Sequence, residues 1–436
     1  MDNKGYFAKK TEYCLEHLLF VLYLILLAWL ITKIKFFTLS GLSSSQLIIV
    51  FLLKVMAGIL YGWIGVYYAN MAQMLDTWNY HHESLVQYDL LLSDPVEFVA
   101  SFFRSDYDFG YGGSFFSTEN SWWSNLPLNF ILKLLGVFNV LSGGNYYINV
   151  IFYSFLTLWG PIAIYRVMKD VFSFNVLAIL TATFLLPSFI YWTSGIHKDG
   201  ILFTGIALVI YHFYFGFKLE QFGPKRILGI FIGLLIILLI RNYILVMLLP
   251  ALAAWWGARK NVLKPFYTFT AVYAFCALLF FGGGYLHPRL NFPQVVVTKQ
   301  QQFMSLEGKS AVPTHELQPT LGSFIAGLPN ALSISVLRPN IFDVTHLLSL
   351  AAAVENILLL LLFIVFLVWH RKMFQNPFIL FCVFFSFSVL LTIGYTVHFL
   401  GATVRYRSVV LPFLVIPMFA FINWKKIGQY LLNLKN

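Results

Sequence analysis

The chain has 436 residues, 59% hydrophobic, 19% aromatic and 11% charged. A soluble domain carries about a quarter charged residues, so no water-soluble fold could bury this much apolar surface. The formal net charge of +11 does not imply nucleic acid, because Lys and Arg fall in short clusters between apolar runs and not on one binding face. Cys14, Cys276 and Cys382 make no paired framework, so neither a disulfide nor a thiolate metal site is expected.

A bilayer core about 30 Å thick needs about twenty apolar residues per helix. Such runs lie near 17–34, 46–69, 146–165, 171–191, 199–217, 226–240, 243–257, 265–284, 347–369, 377–398 and 407–423. The reading is an all-α, polytopic transmembrane helical bundle of about 10–11 spans, forming a single integral membrane domain over 1–436. The first run follows Lys4, Lys9 and Lys10, as in a signal peptide, but Glu12, Glu16 and the lack of a small-residue cleavage site favour a retained span. Runs 226–240 and 243–257 are short and meet at Arg241-Asn242, so they are either two tilted spans or one broken element. No internal repeat and no pair of broken helices is visible.

Lys and Arg collect at Arg166/Lys169, Lys218/Lys225/Arg226, Arg259/Lys260/Lys264, Arg371/Lys372 and Lys425/Lys426/Lys435. Alternating spans put all of these on the cytoplasmic side. Two long segments, 70–145 and 285–346, then face outward, with the connections 192–198, 241–243 and 399–406. Lys33 and Lys35 mark the first link as cytoplasmic and place the N-terminus outside.

The first outward segment holds eight acidic residues against Arg104 and Lys133. A helix beginning at Asp76 puts Asp76, Asn79, Tyr80 and Glu83 on one face, with His81 and His82 beside it. Asp76 and Glu83 could then bind a divalent cation or supply a general base; the plainer reading is a solvated loop helix anchored at the headgroups by Trp78 and Tyr80. Asp94-Pro95-Val96-Glu97 has the residues of a helix cap and is assigned to structure. Trp122 and Trp123 open an amphipathic stretch to Leu141, suited to an interfacial belt or to stacking on a sugar. The apolar stretch from Leu321 to Val336 reads as an interfacial or re-entrant helix.

His197 and Lys198 begin the helix after the short 192–198 link, where free N–H groups favour an anion, although Asp199 complements the same helix start. Arg241, Arg338, Arg405 and Arg407 lie outward, and arginine forks fit phosphate oxygens. The acids of 70–145 are the competing partners. Lys54 lies near enough to a span end to snorkel, whereas Glu355 lies deep in its span, where it needs a partner.

Asp76 opening an early outer loop, a second outer loop late in the chain, and Arg405-Tyr406-Arg407 before a last run that contains Leu411-Pro412 together resemble the GT-C class of integral-membrane glycosyltransferases. The arrangement also resembles lipid-linked oligosaccharide polymerases and ligases of bacterial envelopes. The resemblance implies a polyprenyl-phosphate-linked sugar as donor, a glycan acceptor and a bacterial plasma-membrane location. It implies Asp76, or Glu83, as catalytic base, and Lys198, Arg241, Arg338, Arg405 and Arg407 as donor-binding residues. The pairing of adjacent acids common in that class is missing, since Thr77 follows Asp76. The alternatives are a transporter of lipid-linked sugars, with Glu355 on its path, and a non-catalytic membrane assembly protein.

Overall fold

A computed structural model describes residues 3–68, 76–111, 120–173, 175–260, 262–370 and 376–433, with side chains described from residue 15 onward except at 289 and 431–433. Arg371, Lys372 and Lys435 of the basic clusters, the side chains of Lys4, Lys9, Lys10, Glu12 and Cys14, and residues 112–119 of the acidic segment, Glu119 among them, lie outside this description. The chain is 81% helical, and the described residues contain no strand. With its apolar helices, this is an integral, multi-pass, all-α membrane protein lodged in a lipid bilayer.

In chain order the helices are α1 (Asn3–Ile31), α2 (Lys35–Thr38), α3 (Ser44–Tyr67), α4 (Asp76–Ser93), α5 (Pro95–Phe103), α6 (Trp122–Ser142) and α7 (Tyr146–Val171). They continue as α8 (Val176–Phe184), α9 (Pro187–Ser194), α10 (Lys198–Lys218), α11 (Pro224–Ile240), α12 (Asn242–Arg259), α13 (Pro265–Leu286) and α14 (Phe292–Met304). The last are α15 (Leu321–Leu332), α16 (Leu347–Trp369), α17 (Pro377–Thr396), α18 (Leu400–Ser408), α19 (Leu411–Phe421) and α20 (Trp424–Asn433). Proline at the first position starts α5, α11, α13 and α17, where its missing N–H costs nothing. Asp94 caps α5 by accepting from the Glu97 amide at 2.9 Å, as its sequence implied.

By length and apolarity, seven described helices can cross a membrane, or up to nine if two bent pairs count as one span each. The differences from the eleven apolar runs are local. Helix α6, read as interfacial, is 21 residues long and apolar enough to span, whereas the apolar part of α1 is Leu15–Ile31. The run at 226–257 is two helices, α11 of 17 residues and α12 of 18, parted at Arg241, and neither is among the seven. The bent pairs are α8 with α9, at 49°, and α18 with α19, at 64°. These are broken helices that hydropathy alone did not reveal, because an apolar run stays apolar through a bend.

The chain divides into two compact units: 1–167 with 190–241, and 168–189 with 242–436. The core of the first is made by α3, α7 and the α10–α11 hairpin. Gly205 and Gly233 face each other there: a Cβ on Gly233 would lie 2.7 Å from the Gly205 carbonyl oxygen, so the two backbones touch. In the second, α17 is central, burying Phe378, Phe381 and Phe385. Helix α15 lies against it so closely that a Cβ on Gly394 would be 2.1 Å from the Ala331 carbonyl oxygen. Gln300 of α14 ties this layer, donating to the His315 and Tyr395 carbonyls at 2.9 Å each and accepting from the Leu317 amide at 2.8 Å. The stretch 321–336 is therefore helical and packed on a span, continuing into a π-helical turn at Ser333–Leu337.

Within the second unit, segments assigned to one membrane side do meet. Ser310 and Val312 of the 285–346 segment hydrogen-bond to Leu400 and His398, and Asn423 bonds to Trp369 near the opposite end of α16.

Candidate functional site

Three segments of the first unit converge on His197. It sits in the turn between α9 and α10 and is fully buried. The turn is shaped by glycine. A Cβ on Gly195 would stand 2.3 Å from the Tyr61 ring, one on Gly58 2.6 Å from the Ser194 carbonyl oxygen, and one on Gly200 2.4 Å from the Thr193 carbonyl oxygen. Lys54 fixes the other side of the turn. It is 3% exposed and donates to the Thr193 carbonyl at 2.6 Å and to Ser194 Oγ at 3.3 Å. This corrects the expectation that Lys54 snorkels: an ammonium at the C-terminal end of α9 satisfies a carbonyl left open by the helix. The phenol of Tyr153 donates to the His197 carbonyl, closing the turn against α7.

The imidazole lies between two carboxylates. Its Nδ1 is 3.0 Å from Asp199 Oδ2, and its Nε2 is 3.5 Å from Asp76 Oδ2. Nδ1 also faces the Lys198 amide at 2.8 Å, so a bare Nδ1 caps α10, while a protonated Nδ1 donates to Asp199. Asp199 is buried, and Arg241 Nη2 stands 2.8 Å from its Oδ1. The α10–α11 hairpin makes this pair: its helices run antiparallel, so the first turn of α10 returns to face the residue that ends α11. Asp76, at the first turn of α4, has a side chain 51% exposed and is the open end of the chain Arg241, Asp199, His197, Asp76.

Helix α4 is held in register by its first turn. Thr77 Oγ1 and Tyr146 Oη are 2.8 Å apart, and Trp78 donates from Nε1 to the Gly62 carbonyl at 2.8 Å while its ring stacks on Tyr146 at 4.1 Å. Trp78 thus packs against α3 and α7. Tyr80 lies beside His197, with ring centroids 5.4 Å apart, and the Lys198 ammonium is 5.5 Å from the Tyr80 ring. His81 is buried against Trp78 and Tyr146, and burial with His82 alongside lowers its pKa to about 4.

The sequence candidates separate as follows. Asp76, Lys198 and Arg241 come together in the first unit. Glu83 lies on the same helix, exposed, and seven residues place it about 10 Å along the axis from Asp76, too far for both to hold one ion. Among the described residues, no group of three His, Cys, Asp or Glu side chains is arranged to hold a metal. In the second unit, Arg338 Nε is 3.7 Å from Asp343 Oδ2, the Arg405 guanidinium is 5.6 Å from the Tyr406 ring, and Arg407 is 2% exposed. His197 and Asp199 were legible as polar residues between two apolar runs, but their pairing with Asp76 and Arg241 follows from helix packing.

A scan against protein-family models and searches of curated proteins and of solved structures found no match to this chain.

Proposed function

We propose that the protein is a membrane glycosyltransferase or polymerase that uses a polyprenyl-phosphate-linked sugar in the assembly of a bacterial envelope polysaccharide. The observation that carries this reading is a half-exposed carboxylate, Asp76, backed by a buried His–Asp–Arg chain at one end of a membrane-embedded unit. In the reaction, an acceptor hydroxyl attacks the anomeric carbon of the donor, the bond from that carbon to the phosphate oxygen breaks, and the lipid phosphate departs with the electron pair. Asp76 takes the hydroxyl proton as general base. His197, with Nε2 toward Asp76 and Nδ1 on Asp199, orients that carboxylate and can receive the proton from it. Arg241 holds Asp199 and so acts as a positioning residue. Lys198 is the cation in the same cluster that meets the developing negative charge on the phosphate.

The test is transfer by the purified protein in proteoliposomes, with a panel of short-chain polyprenyl-phosphate sugars and labelled acceptor glycans. Wild type forms a new glycosidic bond with at least one pair, and Asp76→Asn does not. Undiminished transfer by Asp76→Asn would remove the base assignment, and movement of the donor across the bilayer with no bond formed would replace the transferase by a transporter.

A further inference from the structure

The second unit buries an arginine that its protein neighbours leave half satisfied. Arg407, on α18, donates from Nη1 to the carbonyls of Ser335 at 3.2 Å and Arg338 at 2.6 Å, at the π-helical turn and just after it. Its Nε and Nη2 are buried with no hydrogen-bond partner among the described residues. Those two atoms form the side-on edge of the guanidinium, the edge that grips an oxyanion bidentately.

The counter-charge acting on Arg407 is Glu355 of α16, 6% exposed, and its carboxylate is partly committed elsewhere. Glu355 Oε1 accepts from the Ser188 amide at 3.0 Å, at the first turn of α9, and so caps that half-helix from another element. The Ser188 hydroxyl is buried beside the same carboxylate. Both bent helix pairs of the chain therefore bring polar groups to this place: α9 begins at Pro187 after one break, and Arg407 lies two residues before the other. Buried guanidinium donors left unpaired are costly, and an ionisable residue within a spanning segment marks a ligand or relay site. Membrane proteins place anionic groups at such half-helix ends.

We propose that this is a binding site of the second unit and that it takes a phosphate-type oxyanion. Two oxygens sit on the Nε/Nη2 edge of Arg407 and a third accepts from Ser188 Oγ; a tetrahedral phosphate offers a third oxygen out of the plane, which a planar carboxylate does not. Asn356, next to Glu355, donates to the Pro339 carbonyl at 3.2 Å and braces the segment that supplies the Arg338 carbonyl. Glu355 offsets the Arg407 charge and opposes an incoming anion. The proposal does not depend on glycan transfer, since the phosphate can belong to a lipid or to a free sugar phosphate.

The experiment is thermal unfolding of the full chain in detergent with increasing inorganic phosphate, glucose 1-phosphate, farnesyl phosphate or, as control, farnesol. At least one phosphate compound raises the melting temperature saturably and farnesol does not; stabilisation by farnesyl phosphate alone identifies a lipid source, and by glucose 1-phosphate a soluble one. Arg407→Lys keeps the charge, loses the fork and weakens apparent affinity at least tenfold. Ser188→Ala weakens it about fivefold, the loss of one hydrogen bond. Glu355→Gln keeps an acceptor for the Ser188 amide and binds phosphate more tightly than wild type. Absence of stabilisation of wild type by every phosphate compound overturns the proposal, and so does unchanged affinity in both Glu355→Gln and Ser188→Ala, whatever the fate of the Arg407 variant.

Discussion

Arg241 Nη2 lies 2.8 Å from Asp199 Oδ1 across the open end of the α10–α11 hairpin, joining the residue that ends one helix to the first turn of the other. Both side chains are largely out of solvent, so neither charge tolerates loss of its partner. Asp199→Ala is expected to destabilise the first unit by about 3–5 kcal/mol, the usual result of stranding a buried charge. A double variant with leucine at both positions should unfold closer to wild type than either single variant, measured as melting temperature in detergent. Equal additive losses would mean that the pair does not couple.

Asp76 is half exposed, so its loss should spare the fold while removing function. Asp76→Asn is expected to lower sugar transfer by about 100-fold or more with the melting temperature unchanged. His197→Gln should lower transfer as well, but with some loss of stability, because His197 is fully buried.

The turn that carries His197 depends on the absence of a side chain at Gly195. Gly195→Ala sets a methyl group within 2.3 Å of the Tyr61 ring as it stands, so the ring or the turn must move. The expected cost is about 1–3 kcal/mol. Tyr61→Leu in the same chain should recover part of it, which thermal unfolding of the three variants would reveal.

His81 makes stability depend on pH. Its folded pKa, about 4, lies below the ordinary value of 6.5, so the unfolded chain takes up a proton first as the pH falls. Its stabilising contribution is complete above about pH 6.5 and is lost progressively down to about pH 4. Melting curves at pH 7.5 and pH 5 should show this loss in wild type, and His81→Leu should show a smaller one.

The charge pattern puts Phe342 and Glu220 on opposite membrane sides. Both are exposed, Phe342 at 93%. Single cysteines at these sites should react with an impermeant thiol reagent from opposite faces of sealed vesicles, and reaction of both from one face would break the alternation of spans.

The sequence by itself determined the class of this protein, because 59% hydrophobic residues in runs of span length have no folded alternative outside a bilayer. It also pointed to Asp76, Lys198 and Arg241, since polar residues at the ends of apolar runs stand out against their surroundings. Helix breaks escaped it: Phe184-Leu185-Leu186-Pro187 is apolar on both sides of the bend, so hydropathy cannot separate one span from two half-helices. Pairing escaped it too. That Lys54 would meet Thr193, that His197 would reach Asp76, and that Glu355 would cap α9 depends in every case on groups 121 or more residues apart. Such contacts are set by how glycine-lined helices pack, and only the tertiary structure decides that.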